Sequence, residues 1–273
     1  MVSCIRSVLV FTTLTFVGAA AAMAQDAKPT PASALERLKD GNNRFVADTP
    51  SKRNVGKDRR AELAKGQHPF AIVLTCADSR VSPELVFDTG LGDLFVLRVA
   101  GNIAEPAVVG SIEYAVEHLH VPLIIVLGHE SCGAVTAAID GTPLHGDLGW
   151  LISKIKAGDK LPEGKDAKLA AGIRNNARAA AADLELRSTI IHEEVQHKKV
   201  MIVSGVYSLK TGKIEWMMPS EKKKTSAVEK IHPPVATTPA MLPAGISPTL
   251  AVEVYSQQPA RLPRLQAFFQ RTR

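Results

Sequence analysis

Two short apolar runs constrain this chain more than anything else in it. Phe70-Ala71-Ile72-Val73-Leu74-Thr75 is partly β-branched and too short for a helix, so it reads as a buried strand. Leu123-Ile124-Ile125-Val126-Leu127 repeats the plan. Each run ends abruptly in reactive side chains: Cys76, Asp78 and Arg80 after the first, His129 and Cys132 after the second. Strands buried on both faces belong to parallel sheets, whose crossover connections are helices. The intervening segments fit. Ser82-Pro83-Glu84 has the form of a helix start, residues 110–120 place Ile112, Ala115, Val116 and Leu119 on one face, and a helix is expected from about Cys132 to Ile139. Further strands are expected over Leu94–Val99, closed by a glycine turn at Arg98–Asn102, and over Lys199–Val206. Thr211-Gly212 would turn the last of these into an antiparallel edge strand over Lys213–Met217. The expected fold is α/β, with a central, mainly parallel sheet of four to five strands and flanking helices.

The rest of the chain is less constrained. Ser33 with Glu36 reads as a capping box opening a helix through Leu35, Leu38 and Phe45, interrupted by Gly41-Asn42-Asn43. Residues 51–60 read as a solvated basic segment, and 58–65 as a short helix closed by Gly66 in the left-handed conformation. A helix is expected near Trp150–Lys156, and one long helix over Ala170–His197.

The two ends differ from the middle. Arg6 is the only charge before an uncharged, apolar run from Ser7 to Gln25, which closes in Ala22-Met23-Ala24. Small-x-small after an apolar core predicts a signal peptide over residues 1–24, cleaved after Ala24. The mature chain would be periplasmic or secreted, with no stable membrane insertion; an uncleaved anchor is the rival reading. Residues 25–32 read as a Pro/Ala linker, and 33–218 as one domain. The segment 219–273 holds eight of the 17 prolines and eight Lys/Arg against three Asp/Glu, so it accounts for most of the net charge of +6 and reads as a basic, mostly disordered tail. With the charge confined there, and aromatic content of only 5%, nothing points to a nucleic-acid surface.

Export leaves Cys76 and Cys132 as the cysteines of the mature domain. In an oxidising compartment an even pair defaults to a disulfide. Each, however, stands among other ligand-type residues at a strand end, where ligands bind in open α/β sheets. The spacing His129-x-x-Cys132 turns two donors toward one point as strand gives way to helix, and Cys76 arrives from a neighbouring strand. Thiolate, imidazole and an open position are what a catalytic zinc site needs, so one Zn2+ per chain is expected.

Cys76-Ala77-Asp78-Ser79-Arg80 with His129-x-x-Cys132 resembles the signature of the β-class carbonic anhydrases. Ala34–Leu38, Leu97–Asn102, Ser111–Ala115, Gly205–Tyr207 and Thr211–Lys213 resemble segments of that family in its order, over about residues 33 to 218. The resemblance implies reversible hydration of CO2 to bicarbonate by zinc-bound hydroxide, in a homodimer or homotetramer. It implies Cys76, His129 and Cys132 as zinc ligands, and Asp78 as a group that orients the zinc-bound hydroxide while Arg80 neutralises it. In some members the same aspartate becomes the fourth ligand, so Asp78 is also a candidate metal ligand. That closed subset carries a tryptophan three residues before the first cysteine. Here the position is Val73, although Arg98 and Tyr207 match the other members of its bicarbonate pocket. Gln67 matches the substrate-binding glutamine of the plant-like, open-site type, and an open site is therefore expected. The alternatives are a hydrolase of carbonyl sulfide or carbon disulfide on the same scaffold, and a non-catalytic zinc- or bicarbonate-binding module.

Overall fold

The computed structural model describes residues 28–141 and 143–218. The expected signal peptide, its cleavage site and the tail from Pro219 lie outside the described residues. Among those described, no helix is long and apolar enough to cross a membrane.

Five strands form one sheet: β1 (Ala71–Thr75), β2 (Leu94–Arg98), β3 (Leu123–His129), β4 (Met201–Tyr207) and β5 (Ile214–Met217), in the order β2-β1-β3-β4-β5. The first four are parallel, and β5 pairs antiparallel with β4 at one edge. Every residue of β1 and β3 is buried, which is why these two strands read as unbroken apolar runs while the edge strand β2 is half-buried. Alternation divides their side chains between two layers. Val73, Ile125 and Leu127 pack with Leu35, Leu38 and Phe87 on one face. Ile72, Leu74, Ile124 and Val126 pack with Ile112, Leu184 and Ile191 on the other.

The helices are α1 (Pro31–Val46), α2 (Lys57–Leu63), α3 (Pro83–Val86), α4 (Pro106–Glu117), α5 (Gly133–Asp140), α6 (Gly146–Ser153), α7 (Lys165–Arg187) and α8 (Thr189–Gln196). Helix α1 starts earlier than Ser33. Thr30 is the N-cap, its hydroxyl accepting from Ser33 N at 3.2 Å while the Ser33 hydroxyl accepts from Thr30 N at 2.9 Å, with Pro31 preset for the first turn. Nor is α1 interrupted at Gly41-Asn42-Asn43. A Cβ on Gly41 would stand 1.9 Å from the Phe87 carbonyl oxygen, so glycine permits close packing on the end of α3. Buried Asn42 donates to the carbonyls of Val86 and Gly212 and accepts from Ile214 N, tying α1 to both edges of its layer. Gly66 does not take the left-handed conformation expected of it: α2 ends at Leu63 with Ala64 still right-handed. The helix expected over 170–197 is two. Ser188 is extended, and its hydroxyl accepts from Ile191 N to cap α8.

Residues 51–60 are not simply solvated. The fully buried Asp88 carboxylate accepts from Arg44 Nε at 2.7 Å, Ser51 N at 2.8 Å and Arg53 Nε at 3.3 Å, fastening this segment to α1. Burial pushes the Asp88 carboxyl up, but the Arg44 and Ser51 bonds outweigh it and hold the group down at about 2. A depressed carboxylate stabilises the fold above the ordinary carboxylate range and loses that contribution as pH falls through about 2. Asp88→Asn should therefore lower unfolding free energy by about 2 kcal/mol at pH 7, with a difference that shrinks toward pH 2, measured by urea titration at each pH. Gly41→Ala should cost about 1–3 kcal/mol in the same assay through overpacking against Phe87; a neutral outcome would contradict the packing described.

Candidate metal centre

The register between β1 and β3 builds the site. Thr75 lies opposite Leu127, and the buried Thr75 hydroxyl donates to the Leu127 carbonyl at 2.8 Å. Cys76 therefore leaves its strand beside Gly128 and His129. Cys132 follows three residues after the end of β3, as the N-cap residue of α5. One donor atom each from Cys76, His129 and Cys132 lies within 4.8 Å of the others, and all three residues are buried. They sit against an apolar layer of Val135, Ile173, Ala177 and Val206.

The donors are prepared for a cation. His129 Nδ1 lies 2.8 Å from the Glu130 carbonyl, which can only accept, so Nδ1 carries the proton and Nε2 offers its lone pair to the cluster. His129 Nε2 is buried without a hydrogen-bond partner. Such an atom in a native core calls for a ligand. The Cys76 sulfur accepts from Gly101 N at 3.4 Å. Without a cation, the hydrogen bond between the sulfurs holds the Cys76 thiol below its ordinary range and the Cys132 thiol above it, burial adding to the rise at Cys132. Two buried thiolates in contact repel, and a divalent cation is what lets both ionise. Burial would lower His129, but the Cys76 sulfur beside it prevails and raises it. The set of two thiolates and one imidazole suits Zn2+.

Asp78 stands next to this cluster and is already paired. Its Oδ1 accepts from Arg80 N and Nε, both at 2.9 Å, and its Oδ2 accepts from Arg80 Nη2 at 2.7 Å. The Arg80 guanidinium holds the Asp78 carboxyl well below the usual carboxylate range. Asp78 Oδ2 is 3.8 Å from His129 Nε2, so the carboxylate faces the donors while bound to arginine. Arg98 braces the same turn, donating from Nε to the Cys76 carbonyl at 3.3 Å and from Nη2 to the Asp78 carbonyl at 2.7 Å. Arg98 matches a bicarbonate-pocket position of the closed subset by sequence, and its contacts to these carbonyls bridge 22 and 20 residues that no local pattern connects. Tyr207 and Val73 are buried in the layer that packs on α1. Gln67 is the residue not brought to the cluster. It is exposed in the loop before the amino end of β1, whereas the donors follow the carboxyl end, and five residues of strand separate the two by about 16 Å.

A sequence model of the carbonic anhydrase family matches residues 71–214, which span the four parallel strands and reach the first residue of β5. The chain belongs to that family. Carbonic anhydrase 2 of Mycobacterium tuberculosis is 43% identical over 189 residues, covering 67% of this chain and 91% of the relative. Among solved structures, a Coccomyxa β-carbonic anhydrase in complex with acetazolamide is 26% identical with a TM-score of 0.55, covering 67% of this chain and 86% of that one. One of two tetrameric β-carbonic anhydrases of Sordaria macrospora shares the fold at 24% identity and a TM-score of 0.51, over 58% and 85% of the two chains. The family is thus the β class of carbonic anhydrases, which are zinc enzymes.

Removing one donor should empty the site without unfolding the sheet. His129→Ala and Cys76→Ser are expected to lose at least tenfold in zinc affinity, measured by competition with a chromophoric chelator, while far-UV circular dichroism stays unchanged. Full zinc retention in both variants would contradict the ligand assignment.

Proposed function

We propose that this chain is an exported zinc carbonic anhydrase that interconverts CO2 and bicarbonate through an open site. The observation that carries the reading is the buried cluster of Cys76, His129 and Cys132, with Nε2 of the histidine unpartnered, beside a carboxylate already committed to arginine.

Cys76, His129 and Cys132 would hold the metal. Zinc, when bound, supplies an activated water that attacks the carbon of CO2. The chain's own residues do the rest. Arg80 takes both oxygens of Asp78, which keeps the carboxylate ionised and turned from direct ligation. An ionised Asp78 can only accept a proton in hydrogen bonding, so it orients the attacking water with its remaining lone pairs. Arg98 fixes the backbone that carries both Cys76 and Asp78. The apolar wall of Val135, Ile173 and Val206 excludes bulk water behind the donors.

Asp78 bound to Arg80, with valine at position 73, supports the open form over the closed one. Gln67 serves as a substrate-binding residue only where a second copy brings its own Gln67 to this cleft. That requirement, together with the tetrameric Sordaria relative, supports a homodimer or homotetramer. Arg6, the apolar run after it and Ala22-Met23-Ala24 support export with cleavage after Ala24. No observation favours a carbonyl sulfide or carbon disulfide hydrolase, or a binding-only module.

Stopped-flow CO2 hydration by the zinc-loaded protein tests the function. Asp78→Asn should keep one zinc per chain while turnover falls by about 100-fold. Turnover of carbonyl sulfide exceeding that of CO2, or no turnover of either by a zinc-loaded protein, would contradict it.

A further inference from the structure

We infer that Asn176, on α7, is a positioning residue for the metal centre, acting on the Cys76 sulfur through the backbone of Gly101. The inference rests on the reading of Cys76 as a metal ligand.

Asn176 is 2% exposed, and both ends of its amide are used. Nδ2 donates to the Gly101 carbonyl at 2.7 Å, and Oδ1 accepts from Lys156 N at 2.9 Å. Gly101 is the residue whose N–H donates to Cys76 Sγ. Its backbone is unusual: φ is +70° and ψ is 14°, a left-handed conformation between Val99 and Asn102. A Cβ there would stand 2.7 Å from Ile155 Cδ1, so the side chain preceding Lys156 walls Gly101 in. Asn176 thus holds both sides of one unit: the carbonyl of Gly101, and the backbone that carries Ile155 against it. A left-handed turn with no side chain of its own needs such outside support to keep its N–H aimed at sulfur.

The aim matters because of the charge the donor set brings. Two thiolates cancel the formal charge of Zn2+ and weaken it as a Lewis acid. An N–H donated to a thiolate withdraws some of that electron density and fixes the sulfur's direction. Cys132 stands at the N-cap of α5, where the helix dipole favours its thiolate. Cys76 has no helix beneath it. Its sulfur accepts from Gly101 N, and Gly101 is held across a gap of 75 residues by Asn176. The neighbouring Asn175 supplies a control. Its Nδ2 donates to the Ala157 carbonyl at 2.8 Å, so it ties α7 to the same 155–157 loop without touching Gly101.

The test compares the wild type, Asn176→Ala and Asn175→Ala as full chains. In Asn176→Ala, zinc should still bind but leave about tenfold faster to a chelator. With cobalt in place of zinc, the sulfur-to-cobalt charge-transfer band should move to lower energy, because a thiolate relieved of its N–H gives up an electron more readily. Asn175→Ala should match the wild type in both. A wild-type chain that binds no metal overturns the ligand reading itself. A wild-type chain that binds metal, with Asn176→Ala indistinguishable from it or Asn175→Ala equally altered, overturns the role of Asn176 alone. Should Asn176→Ala fail to fold, cadmium-113 in the wild type answers the same question. Coupling between the metal and the Gly101 amide proton through sulfur is expected, and its absence overturns the inference.

Discussion

Thr75 donating to Leu127 is a single hydrogen bond, yet the metal centre depends on the register it marks. Cys76 and His129 are 53 positions apart in the chain, and they meet because β1 and β3 are parallel neighbours that end at the same level. A one-residue slip would turn every side chain of either strand to the opposite face. It would put Thr75 or Ala77 where Cys76 belongs, or Gly128 where His129 belongs. The two packed layers prevent this, since Val73 and Ile125 fill one layer while Ile72 and Ile124 fill the other. Core packing and metal chemistry are thus one constraint: the apolar alternation that fixes the register also places the ligands.

Charge is the second constraint. Two thiolates and a carboxylate within a few ångströms of one another would repel in the absence of cations. Each negative group has its own counterweight. Arg80 takes Asp78, the Gly101 N–H serves the Cys76 sulfur, Cys132 sits at the positive end of α5, and Arg98 steadies the turn that carries Cys76 and Asp78. The pairing keeps Asp78 ionised but occupied, which in the proposed open site leaves it to act on water instead of on the metal. The arrangement explains why Asp78 and Arg80 stand two residues apart: the spacing lets backbone N, Nε and Nη2 of one residue reach a single carboxylate.

Much of this was legible in the sequence, because the parallel strands announce themselves as apolar runs and the donors stand at their ends. The five strands, their directions and the Cys76, His129 and Cys132 cluster follow from local patterns. What was not legible depended on contacts across the fold. Gly41 and Asn42 look like a helix break until Phe87 and Ile214 are seen packed and bonded against them. Ser188 is one polar residue in a helical pattern, and only its bond to Ile191 N makes it a cap. Asn176 lies in an alanine-rich helix where nothing local marks it, and its partners are Gly101 and Lys156. Gln67 carries a motif but sits at the wrong end of its own β1, which turns a residue assignment into a statement about assembly.

The central claim is that two strand ends supply a thiolate, an imidazole and a second thiolate to one zinc ion, leaving the remaining position to solvent. Zinc K-edge X-ray absorption on the purified protein tests it most directly. The account predicts one zinc per chain with two sulfur and two nitrogen or oxygen neighbours, at about 2.3 Å and 2.0–2.1 Å. A zinc shell without sulfur, or one with three or more sulfurs, would contradict it.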